Sequence, residues 1–326
     1  IHLSAKAKIG LRIHGRIHLV NDVLPLKKEQ AEKIIFQLIN TSENKDKLLL
    51  HRELDFSYEH KDSTTLRGNA YFKRGNISVA LRIIEKNLKS IDELGLPSVV
   101  YKLIRQKQGL VIITGPTGSG KSTTLAALVD YINQHSVQHI VTIEDPVEYL
   151  FEPKKSVFSQ RELGSDTLSF SNALRSVLRQ DPDIVVIGEM RDPETIMTAM
   201  ELAETGHLVF GTFHTSGAAQ TVARLVANFP PEQHAYVYGR LADVLVGMIS
   251  QRLIPKIEGG RTAIFEVVVC NSAIRNIIRS ANMSQMENTI ETGSSIGMVS
   301  MKRYAMDLVD KGIIKEEDVV DFFREE

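Results

Sequence analysis

The sequence predicts an α/β protein in two parts: a small mixed α/β domain, then a parallel sheet covered on both faces and followed by a helical C-terminal region. Three observations point there. Short apolar runs at 110–114, 140–143, 184–187 and 208–213 alternate with helical patterns at 121–133, 169–179, 193–204 and 218–227. Continuous apolar strands between helices imply parallel strands buried on both sides. A glycine-rich run separates the first of these strands from its helix, and 326 residues suit two domains at roughly 100–200 residues each.

In chain order, 9–13 and 16–20 alternate apolar and polar residues around His14-Gly15, the pattern of a hairpin. Residues 27–40 read as an amphipathic helix with Ala31, Ile34, Ile35, Leu38 and Ile39 on one stripe. Strands follow at 55–59, 64–72 and 77–84, the last two joined by a turn at Arg74-Gly75-Asn76. The stretch 87–95 reads as a linker and hinge, and Pro97 opens a helix over 98–107. The expected domains are 1–88, a linker at 89–96, a core at 97–271 and a helical region at 272–326.

Apolar residues make up 43% of the chain, and no long Pro-, Ser- or Gln-rich stretch occurs, which disfavours disorder. The longest charge-free stretch, 206–223, is broken by glycines, hydroxyls and two histidines, so no membrane span is expected. The opening residues form no signal peptide. With Cys270 alone, neither an intrachain disulfide nor a cysteine zinc site is available, which suits a cytosolic setting. Residues 1–108 carry 20 basic against 12 acidic side chains, whereas the rest carry 19 against 28. Such halves can attract each other or simply be solvated.

The run Gly115-Pro116-Thr117-Gly118-Ser119-Gly120-Lys121-Ser122, with Thr123 after it, fits the phosphate-loop pattern G-x-x-x-x-G-K-[ST] without a mismatch. Its glycines let backbone N–H groups wrap a polyphosphate, and the helix N-terminus adds favourable partial charge. Lys121 is placed for the β- and γ-phosphates of ATP, and Ser122 for Mg²⁺ held through phosphate and water. Glu189 ends the apolar strand 184–187 and can polarise an attacking water; Gly188 stands where many phosphate-loop enzymes carry a metal-binding Asp. A second acidic box, Glu144-Asp145-Pro146-Val147-Glu148, follows the strand 140–143, at the end of the sheet where α/β proteins place their sites. His207 and His214 flank the strand 208–213, with His214 at its carboxyl end. Such a histidine is as readily structural as a sensor of the γ-phosphate.

Together the phosphate loop, the acidic box, Gly188-Glu189-Met190-Arg191-Asp192 and 206–215 resemble the secretion and type IV pilus ATPases. The run 273–279 is similar to the C-terminal helix signature of their retraction (PilT-like) branch. Assembly and type II secretion relatives usually carry a tetra-cysteine insertion that this chain lacks. The resemblance implies a PAS-like N-terminal α+β domain, a RecA-like ATPase domain, and a homohexameric ring that binds ATP and Mg²⁺ between domains. It implies Glu189 as catalytic glutamate, Glu148 as acidic-box glutamate, His207 and His214 as the histidine box, and Arg67, Arg74 and Arg82 as phosphate contacts. It also implies a motor that retracts pili for twitching motility, working with an inner-membrane platform protein at the cytoplasmic face of the membrane. The chain reads as starting inside the family's opening strand, and Ala223 and Ala227 stand where relatives often carry acids.

Other readings are an assembly ATPase, a RecA-like nucleic-acid translocase and an ATP-binding adaptor without turnover. No repeated aromatic–basic interleaving for stacking bases occurs, and no direct nucleic-acid contact is expected. Glu189 argues against the adaptor. On the helix at 273–279, Ile274, Ile277 and Ile278 share one stripe, while Arg275 and Arg279 stand four apart on another face, which suggests an acidic partner surface.

Overall fold

The computed structural model describes residues 1–13, 16–61, 64–84 and 88–324. His14-Gly15, the expected hairpin turn, and Asn87, the first linker residue, lie outside them. The chain divides into two units, Ile1–Lys86 and Asn87–Glu326.

In the first unit, strands β1 (His2–Ser4), β2 (Gly10–Ile13) and β3 (Arg16–Leu19) precede helices α1 (Lys28–Ile39) and α2 (Ser42–His51). Strands β4 (Glu53–Glu59), β5 (Thr65–Lys73) and β6 (Asn76–Ile83) complete a six-stranded sheet in the order β3-β2-β1-β6-β5-β4. Ala31, Ile35 and Ile39 of α1 bury against Phe56, Ala70, Ile77, Val79 and Leu81 on one sheet face. Sequence pattern does not reveal α2, because only Leu48 of its ten residues is buried. The Thr41 hydroxyl starts it by accepting the Asn44 N–H at 3.2 Å.

The second unit opens with a segment expected to be a linker, and here the structure corrects the sequence. Ile91 and Leu96 are buried in its core. Ser90 and Glu93 cap each other's backbone N–H groups at 3.2 and 2.7 Å, and the Tyr304 hydroxyl bonds the Gly95 carbonyl. Residues 90–96 therefore belong to this unit and are no free hinge. The helix expected over 98–107 shrinks to α3 (Val100–Leu103). The Gln106 side-chain amide donates to the Lys102 carbonyl at 3.0 Å, replacing the backbone bond that a longer helix would make there.

Next come β7 (Gly109–Thr114), α4 (Lys121–His135), β8 (His139–Glu144), β9 (Val157–Glu162), α5 (Phe170–Val177) and β10 (Ile184–Ile187). They are followed by α6 (Pro193–Glu204), β11 (Leu208–Phe213), α7 (Ala218–Val226), α8 (His234–Val244), β12 (Leu245–Pro255) and β13 (Arg261–Val269). The sheet runs β13-β12-β7-β11-β10-β8-β9 and is parallel throughout except at β13. Along β7, Leu110 and Ile112 face one buried cluster while Val111 and Ile113 face the other, so helices cover both sides. The polar edge strand β9 and the β12–β13 pair extend the sheet beyond the four strands that the apolar runs predict.

The C-terminal region is helical: α9 (Ser272–Arg279), α10 (Met286–Thr292), α11 (Met301–Asp310) and α12 (Glu316–Arg324). Asn271 caps α9 by accepting the Ile274 N–H at 3.0 Å, and Ile274, Ile277 and Ile278 are buried as their spacing predicts. The expected acidic partner of the two arginines lies within the chain. Arg275 Nη1 donates to the carbonyls of Ala242 and Asp243 at 2.7 and 2.6 Å, at the C-terminal end of α8. Arg279 pairs with the Asp243 carboxylate at 2.5 Å. Two cations four apart are tolerated because a helix C-terminus and a carboxylate face them.

Candidate nucleotide site

The site grows from the carboxyl ends of β7, β8, β10 and β11, which adjacent parallel pairing brings to one edge of the sheet. At the end of β7 the chain turns sharply at Gly115, with φ of 155°. A Cβ there would lie 2.4 Å from the Gln251 carbonyl oxygen and 2.5 Å from Ser119 Oγ, so only glycine fits. The loop then delivers Lys121 to the first turn of α4, with half-buried Ser122 after it. Thr123 Oγ1 lies 2.7 Å from the Tyr149 hydroxyl.

Lys121 is only 8% exposed. Its Nζ donates to the carbonyls of Gly115 and Pro116 at 2.8 and 3.1 Å, and lies 3.3 Å from His214 Nδ1. Burial pushes its ammonium below the ordinary lysine range, against the opposing pull of Glu189 and Glu148. An ammonium can only donate, so His214 Nδ1 accepts, and the ring proton sits on Nε2. That Nε2 lies 3.1 Å from Glu189 Oε1. Glu189 Oε2 is held by Arg191 Nη2 at 2.7 Å. Burial pushes the Glu189 carboxyl up, but the hydrogen bond and charge of Arg191 and the hydrogen bond from His214 outweigh it and hold the group below its ordinary value.

The acidic box stands beside this cluster. Its Glu144 carboxyl accepts from Thr142 Oγ1 and Gln160 Nε2 at 2.7 and 2.8 Å and from the Glu148 backbone N–H, while burial pushes it up. Glu148 is exposed and near enough to Lys121 for its charge to be felt there. Gly188 has a steric reason: a Cβ would lie 3.1 Å from Glu144 Cα and 3.2 Å from the Ile143 carbonyl oxygen, backbone that has little room to give. Among the described residues no group of three His, Cys, Asp or Glu side chains is placed to hold a metal ion.

Two sequence expectations separate from the cluster. His207 precedes β11, where its carbonyl accepts the Gly109 N–H at 3.0 Å and its Nδ1 contacts the Leu202 carbonyl at 2.9 Å. It sits at the opposite end of a six-residue strand, about 23 Å from His214 at 3.3 Å per residue. Its surroundings are structural within this chain. The three arginines of the first unit do not share one place either. Arg67 and Arg82 face each other directly across β5 and β6, but Arg74 occupies the turn beyond Lys73, at the other end of the hairpin. Arg67 and Arg82 border a cavity of about 890 Å³ on the sheet face away from α1, together with Asp55, Asn69 and Ile13.

A family model described as "Type II/IV secretion system protein" matches residues 61–320. The chain belongs to the type II/IV secretion system protein family. Residues 115–122, 144–148 and 206–215 all fall within the matched span. The type IV pilus retraction ATPase PilT of Pseudomonas aeruginosa is 45% identical over 318 residues, 98% of this chain and 92% of that protein. A twitching motility protein of Neisseria gonorrhoeae is 43% identical, over 94% of this chain and 82% of that protein. Among solved structures, the pilus retraction motor PilT with bound ADP superposes with a TM-score of 0.92 at 43% identity, covering 98% of this chain and 91% of that one. The PAS-like and RecA-like architecture expected of the family stands.

Six further residues shape the site without a role that the sequence assigns them. Arg191 was legible in principle, two residues beyond Glu189 on the same strand exit. Thr114, Thr215 and Thr221 form a buried hydroxyl cluster, with Thr114 Oγ1 donating to the Thr215 carbonyl at 2.7 Å and Thr215 Oγ1 2.7 Å from Thr221 Oγ1. This ties the phosphate-loop strand to the histidine-box strand. Gln251 and Arg252 of β12 reach Ser119 and Ser216 respectively. No periodicity marks a polar pair inside a strand that was itself unassigned.

Proposed function

We propose that this chain is a P-loop ATPase that powers type IV pilus retraction, with Lys121, His214 and Glu189 as its reacting core. The observation that carries the reading is the joined triad at the phosphate loop: an ammonium, an imidazole and a carboxylate in hydrogen-bond contact at the mouth of a polyphosphate cradle. The likeness to retraction ATPases along nearly the whole chain directs that chemistry to pili.

In this reading the loop amides and Lys121 bind the β- and γ-phosphates of ATP, and Lys121 exchanges its two loop carbonyls for phosphate oxygens. Ser122 is the hydroxyl that would hold Mg²⁺. A hard-oxygen set of hydroxyl, phosphate and water suits an ion that keeps several waters, and agrees with the lack of a carboxylate at Gly188. When bound, the ion neutralises developing phosphate charge. Glu189 orients and deprotonates the attacking water, and Glu148 adds the acidic-box charge. His214 links the lysine that holds phosphate to the base that acts on water. Arg67 and Arg82, and Arg74 separately, supply phosphate contacts when domains close in a homohexameric ring.

Retraction work is done on the pilus machinery, with a platform protein at the membrane as partner. No helix among the described residues is long and apolar enough to cross a membrane. The test is complementation: a strain deleted for this gene should regain fibre shortening with the wild-type gene and not with Glu189→Gln. Normal retraction in the deletion strain would overturn the reading.

A further inference from the structure

We infer that Gln251 is the positioning residue of the phosphate loop, holding its backbone in the shape that receives a polyphosphate; the inference rests on the nucleotide-site reading above. Strand β12 lies beside β7 with Ser250 in register with Thr114, so Gln251 stands opposite the point where β7 turns into the loop. It is 1% exposed. Its Nε2 donates to the Ser119 carbonyl at 2.7 Å. The same nitrogen lies 3.2 Å from where a Cβ on Gly120 would stand, and the Gln251 backbone carbonyl fills the space beside Gly115. One residue thus bonds the loop at Ser119 and lies close against it at Gly115 and Gly120.

The pattern of satisfied and unsatisfied groups says what the amide does. Gln251 Oε1 and Ser119 Oγ are buried and make no hydrogen bond among the described residues. For stability alone, an apolar side chain of this volume would avoid burying an orphan acceptor. Among the described residues the amide's one hydrogen bond is the one to Ser119, and that bond acts on the phosphate loop. Lys121 cannot serve as the loop's permanent brace, because phosphate binding draws it away from the Gly115 and Pro116 carbonyls. Gln251 donates from beneath and has no such competing partner. Pre-shaping of this kind favours bound nucleotide and transition state alike, so it governs KM and affinity more than kcat.

The test uses the full chain with Gln251→Met, which keeps volume and loses the donor, and Gln251→Glu, which puts a carboxylate against the Ser119 carbonyl. Steady-state ATP turnover, affinity for a fluorescent ADP and the melting temperature without nucleotide are measured together. For Gln251→Met, KM and the ADP dissociation constant should rise about fivefold to tenfold, with kcat within about twofold and the melting temperature preserved. Gln251→Glu should weaken binding further, through charge repulsion with phosphate. A folded Met or Glu variant with wild-type affinity overturns the inference. So does a fall in kcat at unchanged KM, and so does failure of both variants to fold, which would make Gln251 a packing residue. A wild-type chain that binds no nucleotide overturns the underlying reading as well, which separates the two failures.

Discussion

His214 Nε2 stands 3.1 Å from Glu189 Oε1, and the opposite nitrogen of the same ring faces Lys121 Nζ at 3.3 Å. A neutral imidazole satisfies both neighbours at once, accepting from the ammonium and donating to the carboxylate. Movement of Lys121 toward an arriving phosphate is therefore felt at Glu189 through one side chain. The Thr114–Thr215–Thr221 hydroxyl cluster holds the two strand ends in register, so the relay has a rigid base.

Glu189→Gln keeps the cradle and removes the base. ATP should bind with near wild-type affinity while turnover falls roughly 10²-fold or more. Lys121→Ala should weaken nucleotide binding itself. Purified turnover and nucleotide affinity check both, and near-normal turnover in Glu189→Gln would remove its assigned role.

Arg191→Ala should move the acid limb of the ATPase pH profile to higher pH. Burial alone pushes the Glu189 carboxyl up, and the arginine is the foremost of the groups that bring it below its ordinary 4.5. A depressed carboxylate contributes stability that is present above its unfolded pKa and lost as pH falls through its folded one. Removing Arg191 raises the folded value and brings that loss to higher pH, with Lys121, His214 and Asp145 still facing the site. A pH–rate profile with an unmoved acid limb would contradict this.

Arg275→Ala and Arg279→Ala should separate. Arg275 makes two bonds to the last carbonyls of α8, and its loss should cost about 1–2 kcal/mol of stability. Arg279 is half exposed in its pair with Asp243, and its loss should cost about 1 kcal/mol or less. Denaturant unfolding measures both. Paired assays of turnover and fibre shortening then show whether Arg279→Ala, with folding kept, retains ATPase activity and loses retraction; equal loss of both would place α9 in the ring rather than in the coupling path.

If sites are completed between subunits, turnover per chain should rise with protein concentration as rings form. Arg67→Ala and Arg82→Ala should each lower that turnover without unfolding the first unit, and similarly, because the two face each other across β5 and β6. Arg74→Ala, at the far turn, should behave differently from this pair. Activity independent of concentration over the range where sedimentation shows assembly would count against a shared site.

What was legible from residues alone was whatever local chemistry or strong periodicity determines. The run from Gly115 to Ser122 declares a phosphate loop because only glycines at those spacings allow its turns. The buried strands declare a parallel sheet because continuous apolar runs need cover on both faces, and Ile274, Ile277 and Ile278 declare their buried stripe. Local spacing could not say that Arg275 and Arg279 are answered inside the chain by the end of α8, more than 30 residues earlier. Nor could it separate His207 from His214, since two histidines seven residues apart on one strand reach opposite ends of a sheet. The hinge expected at 87–95 proved in its described part to be packed chain, because Ile91 and Leu96 found a core that only the assembled sheet creates. Gln251 lies at the same limit: an amide 132 residues from the Ser119 carbonyl it bonds is meaningful only once β12 has paired with β7. Contacts made along the chain are written in the order of residues, and contacts made across it exist only when the sheet has closed.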